Sequence, residues 1–210
     1  MGAVFFRGHI SGRMIDAAVT ALRGGGLVIY PTDTIYGIGC DMMNKKALDK
    51  LNRLKNRPKN KPFSFICKDL SEASRYAQVT DIAYRVMRHA LPGPYTFVLP
   101  KGDGIPRKMA SSDNAVGIRI PNHPVTQAIA DEFGSPIITT SVNVSTDEPV
   151  CAVGDLTPEF VEAVSVIIDY GPLENEPSTI IDFTGYTPEV VRKGKGYEEI
   201  KPFLDFSPED

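Results

Sequence analysis

The spacing of apolar residues changes repeatedly along the first part of the chain. Ile15, Ala18, Val19 and Leu22 recur at helical intervals behind Ser11, a capping residue, and the run stops at three glycines, 24–26. Residues 27–31 ("LVIYP") are continuously apolar and predict a buried strand, after which "PTDTIYGIG" mixes turn formers with β-branched residues. Helical spacing returns with Ala47, Leu48, Leu51 and Leu54 on one face. Further on, "PFSFIC" predicts a strand, and Asp81 is expected to cap an amphipathic helix ending near "LPGPYTFVLP". "AVGIRIP" and "SPIITTS" predict strands on either side of a helix that carries Val125, Ala128, Ile129 and Phe133 and starts at Pro124. A short helix over 158–164 and strands at "SVIIDY", "STIIDF" and "EVVRK" complete the pattern.

Strands and helices that interleave in this way predict an α/β class built on one twisted mixed sheet flanked by helices. No stretch is rich enough in linker residues to divide the chain, so one domain is expected over residues 1–210. The three cysteines, Cys40, Cys67 and Cys151, have neither metal-type nor redox-type spacing and predict reduced thiols. With no apolar run of signal-peptide or membrane-spanning length, the expected location is the cytoplasm, away from membranes.

Charge changes the picture most. The formal net charge is -3, yet residues 45–61 carry eight Lys or Arg against one Asp, and residues 155–189 carry eight acids and no base. A cationic stretch on a weakly acidic chain points to a localised site for an anion. Arg57 precedes Pro58, which pushes it toward extended geometry, where alternate side chains share a side. Lys55, Arg57, Lys59 and Lys61 would then form a comb of cations suited to adjacent phosphates. The competing reading is a solvated loop whose cations complement the C-terminal end of the preceding helix.

Six separated motifs bear on this choice together. "GGLVIYPTDTIYGIGCD", "KNRPKNKP", "LPGPYTFVLP", "VGIRIPNHP", "TTSVN" and "PSTIIDFTGYTPEVVRKG" resemble, in order and spacing, the signatures of the YrdC/YciO family of L-threonylcarbamoyladenylate synthases. The resemblance is strongest over residues 25–194, and "KPFSFICKDL" with the late "KPFL" is similar to the YciO branch. It implies the family's single α/β domain with a concave basic site, without the additional C-terminal domain of longer members.

The implied activity is ATP-dependent formation of threonylcarbamoyl-AMP from L-threonine and bicarbonate, with Mg2+ accompanying ATP. The product would feed threonylcarbamoyladenosine modification of tRNA, with partner proteins of that modification. Such chemistry needs no protein nucleophile, only positioning and cationic stabilisation of phosphate charge. Lys55 and Arg57 match the family's Lys-x-Arg, and Ser141 and Asn143 its Ser-x-Asn. With Lys61 and the late Arg192, these are the expected nucleotide-binding residues. Thr34, Ser178, Thr179 and Arg119 are the expected substrate-binding residues, although Arg119 on its strand also suits a solvent-facing position and Thr34 a turn. No metal-ligating set is expected. His123 in "PNHP" is expected to be structural.

Two departures from the family pattern stand out. Residues 63–67 ("FSFIC") lack the His that some synthases carry for threonine, and Asp147 and Glu148 follow Asn143 where small or basic residues are common. Two other functions therefore stay open: an RNA-binding module for tRNA, double-stranded RNA or the ribosome, and a nucleotide-binding paralogue with altered activity.

Titrating single-site variants with ATP, AMP and tRNA separates these readings of the loop. If Lys55, Arg57 and Lys61 hold a triphosphate, Arg57→Ala weakens ATP binding by about 1.5–3 kcal/mol, roughly ten- to a hundred-fold, and AMP binding far less. An RNA-tracking loop instead gives similar small losses for all four cations with RNA and none with ATP.

Overall fold

The computed structural model describes residues 2–56, 63–105, 114–143 and 148–204. Its strands are β1 (Val4–Arg7), β2 (Val28–Tyr30), β3 (Gly37–Asp41), β4 (Ser64–Ile66), β5 (Tyr95–Pro100), β6 (Ala115–Arg119), β7 (Ile137–Ser141), β8 (Val166–Asp169), β9 (Thr179–Asp182) and β10 (Glu189–Arg192). The helices are α1 (Gly12–Arg23), α2 (Lys45–Leu54), α3 (Leu70–Tyr76), α4 (Asp81–Ala90), α5 (Pro124–Phe133), α6 (Pro158–Ala163) and α7 (Tyr197–Ile200). All the strands join one mixed sheet in the order β1-β8-β2-β3-β7-β4-β6-β5-β9-β10. Among the described residues no helix is long and apolar enough to cross a membrane.

Local chemistry sets the helix starts. Ser11 accepts the Met14 N–H at the head of α1, and Asn44 the Ala47 N–H at the head of α2. At α4 the cap is Thr80, which accepts the Ala83 N–H; Asp81, expected as the cap, is instead the first helical residue, its carboxylate at the positive end of the helix. His123 caps α5 through Nδ1, which accepts the Val125 N–H at 3.3 Å while the ring packs edge-on against Tyr170.

The period of two along the strands decides which face each residue meets. Ile38, Phe65, Phe97, Leu99, Val116, Ile118 and Ile138 point to one face, into a continuous core with Leu48 and Leu51 of α2 and Val86 and Met87 of α4. On the other face Val28, Tyr30, Ile66, Ile137, Val166 and Ile168 pack beneath α1 and α5. That second layer covers only part of the sheet.

Five elements escaped the apolar pattern: β1, β3, α3, β5 and α7. In β3 the glycines hide the strand, and packing explains them. A Cβ on Gly39 would lie 2.6 Å from Tyr30 Oη and 2.7 Å from the Ile138 carbonyl oxygen, and one on Gly37 would lie 2.8 Å from the Tyr30 ring. The Tyr30 phenol lies across both, donating to Thr139 Oγ1 at 2.7 Å.

Two stability measurements follow from these contacts. Gly39→Ala is expected to cost about 1–3 kcal/mol through overpacking against backbone, seen as a thermal midpoint lower by several degrees. Burial lowers the pKa of His123, opposed by the nearby Asp33 carboxylate. The folded state thus binds fewer protons than the unfolded one, and this contribution is complete above about pH 6.5 and fades as pH falls below it. Denaturant titrations from pH 7 to 5 are expected to give a shallower loss of stability in His123→Asn, which keeps a capping oxygen and cannot titrate.

Candidate functional site

Beyond the edge of α1 and α5 the sheet opens into a cleft of about 350 Å³. Its floor is the uncovered continuation of that same face: Gly37 of β3, Ser64 of β4, Thr96 of β5, Gly117 and Arg119 of β6, and Thr139 and Ser141 of β7. Each alternates with an apolar residue directed into the opposite core. Pro177, Ser178, Val191 and Arg192 form the far wall.

Arg119 sits at the centre. Its Nη2 lies 3.2 Å from Asp33 Oδ1 and 3.1 Å from Thr34 Oγ1, and Asp33 Oδ2 accepts the Asn122 N–H at 2.8 Å. The side chain is 11% exposed, and its buried Nε has no hydrogen-bond partner among the described residues. Burial disfavours the guanidinium charge, and Asp33 offsets that. Of the open alternatives for Arg119, the structure places it in the cleft and out of bulk solvent.

Thr34 is fully buried, and its hydroxyl is engaged on both sides. Thr32 Oγ1 gives its own proton to the Ile35 carbonyl at 2.6 Å, so in the 3.0 Å Thr32–Thr34 contact Thr34 is the donor. Thr34 then receives Arg119 on a remaining lone pair, and this bond orients the guanidinium. Ser178 stands across the cleft. Its carbonyl accepts Arg192 Nε at 2.9 Å and its Oγ accepts Arg192 Nη2 at 3.1 Å. Partial burial, and next the charge of Arg119, disfavour the Arg192 cation. Two guanidiniums therefore face one space in which Asp33 is the nearby counter-charge.

Thr179, expected to contact substrate beside Ser178, turns the other way. Its side chain is completely buried and ties β9 to residues 194 and 195, donating to the carbonyls and accepting the Gly194 N–H. That follows from the period of two, which sends neighbours in a strand to opposite faces.

Lys55, Ser141 and Asn143 do meet. Lys55 Nζ donates to the Ser141 carbonyl and, at 2.8 Å, to Asn143 Oδ1, and Ser141 Oγ donates to Asn143 Oδ1 at 2.5 Å. Lys55 is 2% exposed and takes a helical backbone as the cap of α2, followed by Asn56 at φ 46°. The extended comb therefore does not begin at Lys55: the lysine continues the helix and folds inward onto β7. Arg57, Lys59, Lys61 and Asp147 lie outside the described residues. Glu148 is exposed.

Sequence reasoning missed Asp33 and Thr96. The alternation of polar and apolar residues in "YTFV" is the signal that would have placed Thr96 on a strand and facing away from Phe97. Nothing local marks Asp33 as the partner of a residue 86 positions later. Among the described residues no group of three or more His, Cys, Asp or Glu is placed to hold a metal ion. Burial pushes the Cys40 thiol up to about 12, so it stays protonated at neutral pH. What the cleft offers is cationic and hydroxyl positioning of an anion.

The chain is similar in sequence and fold to several known proteins. The YciO protein of Escherichia coli is 36% identical over 198 residues, covering 91% of this chain and 93% of YciO. Its crystal structure superposes with a TM-score of 0.86, covering 96% of this chain and 100% of that one. The threonylcarbamoyl-AMP synthase of Pseudoalteromonas translucida is 31% identical over 175 residues, covering 80% of this chain and 92% of the synthase. The crystal structure of P. abyssi Sua5 complexed with L-threonine gives a TM-score of 0.88 at 27% identity, covering 97% of this chain and 61% of Sua5. Residues 20–194 match the Sua5/YciO/YrdC family model, described as telomere recombination. With that match and these relatives, the chain belongs to the Sua5/YciO/YrdC family.

Proposed function

We propose that this protein forms threonylcarbamoyl-AMP from L-threonine, bicarbonate and ATP, in support of tRNA modification. The observation that carries the reading is the pair of guanidiniums, Arg119 and Arg192, that line the cleft, with the Lys55 cluster at the end of β7, where Ser141 also lines it. Lys55, Ser141 and Asn143 cluster at β7, while Arg119, Ser178 and Arg192 gather toward β6, β9 and β10. β7 and β5 are three strands apart, about 14 Å at the usual spacing, enough to hold a triphosphate and an amino acid side by side. The name and the L-threonine complex of the synthase relatives support the same reading.

In this scheme the threonine amine attacks CO2, derived from bicarbonate, and loses a proton to give a carbamate. A carbamate oxygen attacks the α-phosphorus as the bond to pyrophosphate breaks. Arg119 holds the carboxylate of threonine, with Thr34 and Asp33 keeping the guanidinium in place. Lys55, together with Arg57 and Lys61, neutralises phosphate charge, and Ser141 and Asn143 hold Lys55 ready. Arg192, on the Ser178 wall, faces the reacting centre. The described residues provide no carboxylate cage for Mg2+, so the ion would arrive on the phosphates, its usual mode, and no step is assigned to it.

An RNA contact has one observation in its favour: Lys45, Lys46, Lys50 and Arg53 are all exposed along α2. They would attract a nucleic-acid backbone without base specificity. This reading is compatible with a tRNA-linked role and does not account for the cleft.

The test is pyrophosphate release and product mass with ATP, bicarbonate and one amino acid at a time. L-threonine is expected to stimulate release at least about tenfold more than valine, since a site that bonds a hydroxyl rejects the analogue lacking it. Arg119→Met is expected to abolish the L-threonine response while ATP still binds. Bound ATP with no stimulation by any amino acid would instead identify a nucleotide-binding paralogue.

A further inference from the structure

Where the floor of the cleft meets its far wall, there is one more hydroxyl hydrogen than the described neighbours accept. Thr96 Oγ1 and Ser178 Oγ are 2.9 Å apart and almost fully buried, 6% and 4% exposed. One of their two protons fills the bond between them. Arg192 Nη2 lies 3.1 Å from Ser178 Oγ, and a guanidinium only donates, so it takes up none. Among the described residues no other group accepts from either hydroxyl. The contrast with Thr34 is direct, because the Thr34 proton has a protein acceptor in Thr32.

The direction of the chain follows from Arg192. A hydroxyl oxygen that already accepts from a cation becomes a poorer acceptor and a better donor. Ser178 therefore donates to Thr96, and the remaining proton belongs to Thr96. The cleft beside Thr96 is open because the neighbouring strand carries glycine. A Cβ on Gly117 would lie 3.3 Å from Thr96 Cγ2 and 2.7 Å from Ser64 Oγ, where the cleft is now open.

We infer that Thr96 is a specificity-determining residue that donates its hydroxyl proton to an anionic oxygen of the cleft ligand, at the end of a relay from Arg192 through Ser178. Arg119 lies on the adjacent strand and the same face, so a carboxylate fits, one oxygen on the guanidinium and one on Thr96. The identification of that carboxylate with an α-amino acid rests on the function proposed above. Phosphate is the weaker candidate at this end, since the Lys55 cluster lies at the other.

Calorimetric titration of wild type, Thr96→Val and Thr96→Ser with L-threonine, and separately with acetate and inorganic phosphate, decides the matter. Thr96→Val is expected to bind L-threonine about tenfold or more weakly, the loss of one bond to a charged acceptor. Thr96→Ser is expected to bind like wild type, with thermal midpoints of both close to wild type. Equal L-threonine affinity in wild type and Thr96→Val overturns the inference and leaves the functional reading standing. If wild type itself ignores L-threonine, the functional reading fails, and the small anions judge the hydroxyl alone. Weaker acetate or phosphate binding in Thr96→Val, restored in Thr96→Ser, then upholds the inference; no difference, or no binding of either, overturns it. Should Thr96→Val not fold, Thr96→Ala takes its place in the same comparison.

Discussion

A guanidinium taken out of water needs a fixed anion beside it, and Asp33 supplies one for Arg119. The carboxylate leaves the β2–β3 connection to meet β6 through Arg119 and the entrance of α5 through the Asn122 N–H. Three parts of the chain are thus pinned to one side chain at the rim of the cleft. Such a pair is a poor source of net stability, because desolvation consumes most of the attraction, whereas loss of one partner strands a charge at a cost of about 3–5 kcal/mol. The arrangement is better understood as fixing a position: Arg119 presents the same face to the cleft before any ligand arrives.

That fixed cation works because the sheet has two unlike faces. One is apolar from edge to core and lies under helices; the other is apolar only where α1 and α5 rest on it. Where they end, glycine, serine and threonine replace valine and isoleucine at alternate positions, and the backbone floor is exposed to small molecules. Binding chemistry is thereby built on strands, whose side-chain directions vary little, rather than on loops.

Much of this was legible in the sequence because helices and buried strands announce themselves by period. Ser11, Pro124 and the Leu51 face are local signals and were read correctly from neighbours alone. The failures were of two kinds. β3 and β5 were obscured by residues chosen for tertiary reasons: glycines beneath Tyr30, and prolines on either side of "YTFV". Pairings between distant positions, Asp33 with Arg119 or Thr96 with Ser178, have no local mark at all, since they arise when the sheet brings β2, β6, β5 and β9 into one surface. Lys55 shows a third limit. Its motif correctly flagged it as special, but its backbone was mistaken because the helix runs one residue farther than the proline three positions beyond it suggested.

The pairing of β1 with β8 has a bearing on biosynthesis. Arg7 and Asp169 are 162 residues apart, and β1 hydrogen-bonds to β8, its one neighbour in the sheet. At ribosomal speeds of about 5–20 residues per second, β1 waits roughly 8–30 s for that partner to be made. Throughout, a nascent strand carrying Val4, Phe5 and Phe6 has nothing to pair with, and Val4 and Phe5 remain more than half exposed even after it docks. β1 is therefore a segment that a growing polypeptide must keep from off-pathway pairing until β8 is made.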